Sequence, residues 1–222
     1  MSARRSFVTL ALVASMWGLA GAAHAQDDAR ANSLKPGAWA LQFLIQDNFQ
    51  LEGFGNTMFA IKKQTSTTGA WRLGASLALS TSDDEVTRGD SLFEARDGGL
   101  QSFSVSLHRL RYLNPGKDVN LFLGAGPVAS LGHNSITYVL SPVGPNSEES
   151  TTNWSAGAHV LGGVEYFATR SIGVHAEYRS TLGYRSFSRK VEAPVGETFE
   201  EQSSSGWFFG NPGVWFGLSA YF

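Results

Sequence analysis

The stretch Val214-Trp215-Phe216-Gly217-Leu218-Ser219-Ala220-Tyr221-Phe222 restricts the fold more than any other part of the chain. Counting back in twos from Phe222 gives Ala220, Leu218, Phe216 and Val214, all apolar. The interleaved set, Tyr221, Ser219, Gly217 and Trp215, is smaller or more polar on average. This is the period of a β-strand. An apolar strand left unpaired at the end of a sheet is a sticky edge. A sheet that closes its last strand onto its first has no edge, and in a membrane closure is the one way a sheet satisfies all its backbone groups. The alternative at this point is an edge strand of a soluble sandwich.

The same alternation recurs along the chain. Trp39, Leu41, Phe43 and Ile45 form the apolar face of a first strand. A second, from about Phe54 to Lys62, has Thr57, Phe59 and Ile61 as its outward set, with Met58 and Ala60 competing. Trp71, Leu73, Ala75, Leu77 and Leu79 give the clearest pattern, a third. Phe103, Val105 and Leu107 mark a fourth, and Val119, Leu121, Leu123 and Ala125 a fifth. Trp154, Ala156, Ala158, Val160, Val164 and Tyr166 mark a sixth, and Ile172, Val174, Ala176, Tyr178 and Leu182 a seventh. Trp207 to Phe222 holds the eighth. Between them, 64–69, 114–118 and 168–171 are short turns. Thr81 to Gln101, Gly132 to Thr152 and Arg185 to Gly206 are expected to be long polar loops.

Short turns alternating with long connections are the mark of an even-stranded membrane barrel with both termini in the periplasm. The expected fold is therefore all-β: a single closed antiparallel transmembrane β-barrel of about eight strands. A soluble lipocalin-like barrel would turn the apolar sets inward around a small lipophilic ligand. Charged and glycine-rich sets suit a small wet lumen, and Leu, Val, Ala and Trp sets suit lipid, so the membrane orientation is preferred.

Composition agrees. The 222 residues carry 25 Gly, 15 Phe, 6 Tyr and 6 Trp, suited to strands, tight corners and interfacial girdles. A mean hydropathy of −0.11 argues against a helical membrane protein. The absence of cysteine excludes disulfides and thiolate metal sites, and a formal charge of −2 leaves no footprint for nucleic acid. Arg4 and Arg5, an apolar run from Phe7 to Ala20 and Ala23-His24-Ala25 read as a secretory signal peptide over residues 1–25, cleaved after Ala25. Residues 26–222 then form the barrel, starting with a polar tail from Gln26 to Lys35.

The terminal stretch resembles the last strand of bacterial outer-membrane barrels, which the assembly machinery reads by its final aromatic residue. Ala70-Trp71-Arg72-Leu73-Gly74-Ala75-Ser76-Leu77, Phe122-Leu123-Gly124-Ala125-Gly126-Pro127, Gly163-Val164-Glu165-Tyr166-Phe167 and Ala176-Glu177-Tyr178 resemble, in order and spacing, the small outer-membrane β-barrel superfamily. That group includes the membrane domain of outer membrane protein A and the opacity-type and outer membrane protein X-like proteins. The resemblance covers nearly all the mature chain. It implies fold and outer-membrane location more than activity, because the superfamily is functionally mixed. No peptidoglycan-binding domain is expected after Phe222.

Arg72, Glu165, Glu177 and Arg179, with His159 and His175 near, are the candidate site: a structural ion network filling the lumen, since isolated buried charge is prohibitive. His133-Asn134-Ser135 with Glu148 and Glu149 resembles the His-x-Ser plus Glu arrangement of lipid A deacylases, which makes a lipid A-modifying enzyme the alternative function. Passage of small solutes is the next alternative. Glu165/Glu177 and His159/His175 lack helical metal spacing, and Gly124-Ala125-Gly126-Pro127 lacks the residues of a phosphate loop. The acidic stretch Asp83 to Asp97 reads as a solvated loop. The expectation is a non-catalytic envelope-structural or surface-interaction protein without cofactor or metal. Its expected partners are outer-membrane lipid and lipopolysaccharide, the barrel-assembly machinery and a surface ligand of the long loops.

Overall fold

The computed structural model describes residues 33–46, 57–88, 91–140, 147–192 and 198–222. The expected leader, most of the polar tail and the brief turn expected from Asp47 to Gly53 lie outside these residues. Eight strands follow in chain order: β1 (Trp39–Gln46), β2 (Thr57–Ser66), β3 (Gly69–Arg88), β4 (Ser91–Tyr112), β5 (Val119–Leu140), β6 (Ser147–Phe167), β7 (Ile172–Glu192) and β8 (Thr198–Tyr221). Each pairs with its neighbour in sequence, and β8 pairs antiparallel with β1 to close the barrel. The closing register sets Ala40 against Tyr221 and Gln46 against Trp215. Trp39 and Phe222 then exchange two backbone hydrogen bonds of 3.0 Å.

Alternation decides which face goes where. Leu73, Leu77, Leu121, Val160, Val174 and Leu218 stand on the outer wall, and Leu77 is 53% exposed. Their strand neighbours turn inward, and Arg72 is wholly buried. An exposed apolar wall around a charged interior is the inverse of a soluble barrel and fits a hydrocarbon surround. The belt has visible limits. Trp39, Trp71, Tyr166 and Phe222 rim its turn end. At the other end Trp154, Tyr184 and Trp207 form an aromatic row with centroids 5.9 and 5.8 Å apart. Beyond that row the outward positions of β5 to β8 become polar: His133, Ser135 and Thr137 on β5, Thr152 and Ser150 on β6, Ser186 and Ser188 on β7, Ser205 and Ser203 on β8.

The long loops expected from sequence are mostly strand. β3 pairs with β4 as far as Arg88 and Ser91, β5 with β6 as far as Tyr138 and Ser147, and β7 with β8 as far as Glu192 and Thr198. Strands of 20 to 24 residues far exceed the roughly 9–11 that cross a bilayer. The excess carries polar and charged residues at positions of both parities, so it has no period-two hydropathy to read. β1 and β2 are only 8 and 10 residues long. Among the described residues their pairing reaches Ile45 and Thr57, whereas the other six strands stand far above the belt.

Strand two differs from its expected bounds. It runs on to Ser66, so Lys62 and Gln64 fall on the inward parity and are buried. Phe59 and Ile61 are outward as expected, but Thr57 is buried at 4% exposure. β8 changes parity along its length. Phe216 and Leu218 are outward, yet so are Trp207 and Phe209. The register against β7 slips between Arg179 and Thr181, near Gly213 at φ 102°. A bulge inserts one residue and re-aims every side chain beyond it.

Close approach explains one glycine. A Cβ on Gly126 would lie 1.8 Å from the carbonyl oxygen of Leu107. The adjacent Pro127 has no N–H to donate, and the β4–β5 pairing skips Leu107 and His108 at this point.

Candidate functional site

The interior holds two ion clusters, each assembled from distant strands. Near the turn end, Lys62 of β2 meets Glu165 of β6, with Nζ 3.0 and 3.2 Å from the two carboxylate oxygens. Tyr112 of β4 and Tyr221 of β8 each donate a hydroxyl to Glu165 at 2.8 Å. The ammonium also donates to both hydroxyl oxygens. It stands 5.4 and 4.6 Å from the two ring centroids. Both carboxylate oxygens of Glu165 are engaged, which a buried carboxylate requires.

Deeper in the barrel, Arg72 of β3 forks onto Glu177 of β7 with bonds of 2.7 and 3.0 Å. Arg179, two residues along β7 and on the same face, donates Nε to the same carboxylate at 2.6 Å. Its guanidinium lies 4.3 Å from the Trp215 ring centroid, so the second cation on one carboxylate also faces a π-system. Arg72 Nη2 reaches His108 Nδ1 at 3.3 Å, and His108 Nε2 reaches His159 Nδ1 at 3.0 Å. Elsewhere in the lumen, His175 Nδ1 lies 3.2 Å from Ser219 Oγ, which accepts from Gln42 Nε2 at 2.8 Å.

Sheet register accounts for the meeting. Lys62, Arg72 and His108 stand in one cross-strand row, and Glu165 opposite His175 and Glu177 opposite Trp215 in others. The side chains then span the narrow lumen, which in an eight-stranded barrel is just wide enough to be filled by them. Of the six residues singled out from sequence, Arg72, Glu177 and Arg179 form one cluster. Glu165 belongs to the other, His159 pairs with His108, and His175 pairs with Ser219. Lys62, Tyr112 and Tyr221 complete the Glu165 cluster; the signal for Lys62 was its parity with Ala60 and Gln64 once the strand is extended.

Above the clusters the lumen opens. Serine pairs bridge neighbouring strands, Ser76 to Ser104 and Ser130 to Ser155, each at 2.7 Å. A cavity of about 600 Å³ follows, lined by Ser130, Asn153, Ser155, Arg185 and Phe208 among others. Higher on the protruding wall, Arg189 forks onto Glu149 at 2.7 and 2.9 Å. These hydrogen bonds raise the Arg189 guanidinium above its ordinary value.

Of the deacylase-like residues, His133, Ser135 and Glu148 fall on the outward parity of neighbouring β5 and β6, Glu148 opposite Thr137, whereas Glu149 falls on the inward parity. His133 is outward on β5 and its Nδ1 lies 3.1 Å from Thr152 Oγ1. Ser135 stands across from Gly99 and Ser150, and Glu149 is held by Arg189. Among the described residues no group of three or more His, Cys, Asp or Glu side chains could hold a metal ion.

No family model and no curated protein matches the chain. Among solved structures it is similar to a major outer membrane protein of Thermus thermophilus, at 14% identity and a TM-score of 0.48 over 84% of this chain and 99% of that one. It is similar to CarO of Acinetobacter baumannii, at 12% identity and a TM-score of 0.44 over 86% and 100%. A third likeness is to the N-terminal β-barrel domain of Pseudomonas aeruginosa OprF, at 13% identity and a TM-score of 0.36 over 84% and 98%. At these scores the likenesses carry no argument of their own, and the architecture rests on the closed strand pairing.

Proposed function

We propose that the chain is an integral, non-catalytic protein of the bacterial outer membrane whose working part is the wall that protrudes beyond the lipid belt. The observation that carries this reading is a division of labour along the barrel axis. Within the belt, two ion clusters occupy the lumen, and the lipid-facing residues are a continuous apolar set that includes Leu73, Leu77, Val160, Phe59 and Phe103. Beyond the belt, six strands continue as paired sheet.

The short turns and both termini face the periplasm in this reading, and the protruding sheet faces outward among lipopolysaccharide. The assembly machinery would receive the terminal strand. The upper parts of β3 and β8 pair on one side only among the described residues, because β2 pairs with β3 no further than Ala75 and β1 with β8 no further than Trp215. Unpaired strand edges are ready templates for an added strand from a partner chain, the mode in which backbone groups supply affinity. Surface interaction is therefore favoured over solute passage, and the engagement of His133 with Thr152 and of Glu149 with Arg189, rather than with Ser135, disfavours lipid A deacylation.

The test compares cells expressing the full barrel with cells expressing one whose β3–β4 hairpin is cut back, Ser80 being joined to Leu100 by an Asn-Gly turn. These two residues face each other in the register, so the belt is untouched. Adhesion and aggregation of the cells should fall while heat-modifiable gel mobility shows a folded barrel. Unchanged adhesion together with steady ion conductance of the wild type in planar bilayers would favour passage and overturn the proposal.

A further inference from the structure

The outer wall is not uniform around its turn end. On β5 to β8 the last outward positions are Val119, Tyr166, Ile172 and Ala220, without a charge. On β1 to β4 one cross-strand row reads Trp39, Lys63, Trp71, Arg109, an alternation of indole and cation over four adjacent strands. Lys63 Nζ lies 4.8 Å from the Trp39 ring centroid, and the Arg109 guanidinium 5.3 Å from that of Trp71. Arg111 is outward on the same strand as Arg109, one step nearer the turn. Among the described residues no side-chain carboxylate stands on the outward face of this corner, and none of the three cations makes an ion pair with a side chain.

Arg109 is also held in place. Its Nη1 donates to Thr65 Oγ1 at 2.8 Å, and Thr65 Oγ1 donates to the carbonyl of Gly69 at 3.0 Å. A Cβ on Gly69 would lie 2.9 Å from Arg109 Nη2, so the bare glycine leaves the space that the guanidinium occupies. A cation fixed at the edge of an apolar belt, beside a second cation and two indoles, is the chemistry that recognises a phosphodiester above its acyl chains. The belt orients the chains and the indoles mark the headgroup level.

We infer that Lys63 and Arg109, flanked by Trp39 and Trp71, form a binding site for the phosphate of an anionic phospholipid on one side of the barrel. The inference rests on the reading of this end as the periplasmic, phospholipid-facing end. The site breaks the rotational symmetry of the barrel in its membrane, giving it one side that retains lipid.

Native mass spectrometry of the folded barrel, released from mixed micelles containing equal phosphatidylglycerol and phosphatidylcholine, tests it. Wild type should retain phosphatidylglycerol at least about fivefold over phosphatidylcholine. Lys63→Ala/Arg109→Ala should abolish the preference, Lys63→Arg/Arg109→Lys should keep most of it, and Arg170→Ala, a cation of the β6–β7 turn, should leave it intact. Gel mobility controls for folding of each variant. No preference in wild type, or an undiminished preference in the double alanine variant, overturns the site. Micelles have no sidedness, so such a failure would not bear on orientation, which surface labelling of cells decides separately.

Discussion

At Glu177 two guanidinium groups converge on one carboxylate that is itself fully buried, with Arg72 forked onto it and Arg179 bonded through Nε. The desolvation cost of three buried charges is offset only while all three are present. Removing the shared anion leaves two like charges facing each other in a narrow lumen. Glu177→Ala should therefore destabilise the barrel by about 3–5 kcal/mol, measured by urea titration in lipid vesicles. A change below about 1 kcal/mol would mean that water takes over the carboxylate's role, and the lumen would then be wetter than its packing implies. The outer wall poses the opposite case. Leu77 is 53% exposed in the belt, whereas Ser76 faces the lumen and is bonded to Ser104 on the neighbouring strand. Leu77→Arg should cost about 2–4 kcal/mol, the depth-dependent penalty of a charge facing lipid, and Ser76→Arg less, limited by space. The reverse ranking in the same titration would invert the assigned faces.

At the scale of the element, what was legible depended on contrast between faces. β5, β6 and β7 could be read residue by residue within the belt, because Val119, Leu121 and Leu123 alternate with Asn120, Phe122 and Gly124, and Ile172, Val174 and Ala176 with Gly173, His175 and Glu177. The protruding parts could not. On β6, Ser150, Thr151, Thr152 and Asn153 are polar on both faces, so the pairing that continues through them leaves no period in the sequence and reads as loop. Lys62 was hidden differently: a lysine beside a second lysine and a run of Gln, Ser and Thr looks like the end of a strand. Its lumen role follows only from further pairing and from partners 50, 103 and 159 positions away. The slip in β8 could not be read either, since both parities near it carry aromatics. If the protruding parts are strand, the amides of Thr151 to Asn153 should exchange slowly with deuterium, far more so than those of the Asn114–Asp118 turn. Equal, fast exchange would return them to loop. Closure is an element-scale property too. Phe222→Ala should impair assembly more than a change in the protruding wall, read as the yield of heat-modifiable barrel, because Phe222 pairs with Trp39 at the seam and is 64% exposed at the turn-end girdle.

For the whole molecule, the property of greatest consequence is which end faces out. Two physical asymmetries point the same way: a turn end rimmed by Trp39, Trp71 and Phe222 with short connections, and a protruding end of polar paired strands. A barrel inserted from the periplasm must carry its translocated end across the bilayer, and long polar segments are kept on that far side. The chain has no cysteine, so single substitutions can be labelled without background. Ser203 on β8 lies on the protruding wall and Ala168 in the β6–β7 turn, and both are exposed. A membrane-impermeant maleimide applied to intact cells should label Ser203→Cys and spare Ala168→Cys; after permeabilisation it should label both. The purified protein should also begin at Gln26, the residue after the Ala23-His24-Ala25 pattern, which amino-terminal sequencing checks. Labelling of Ala168→Cys alone on intact cells would place the turns outside. The protruding sheet would then reach into the periplasm, and its partner would have to be sought among envelope components there rather than at the cell surface.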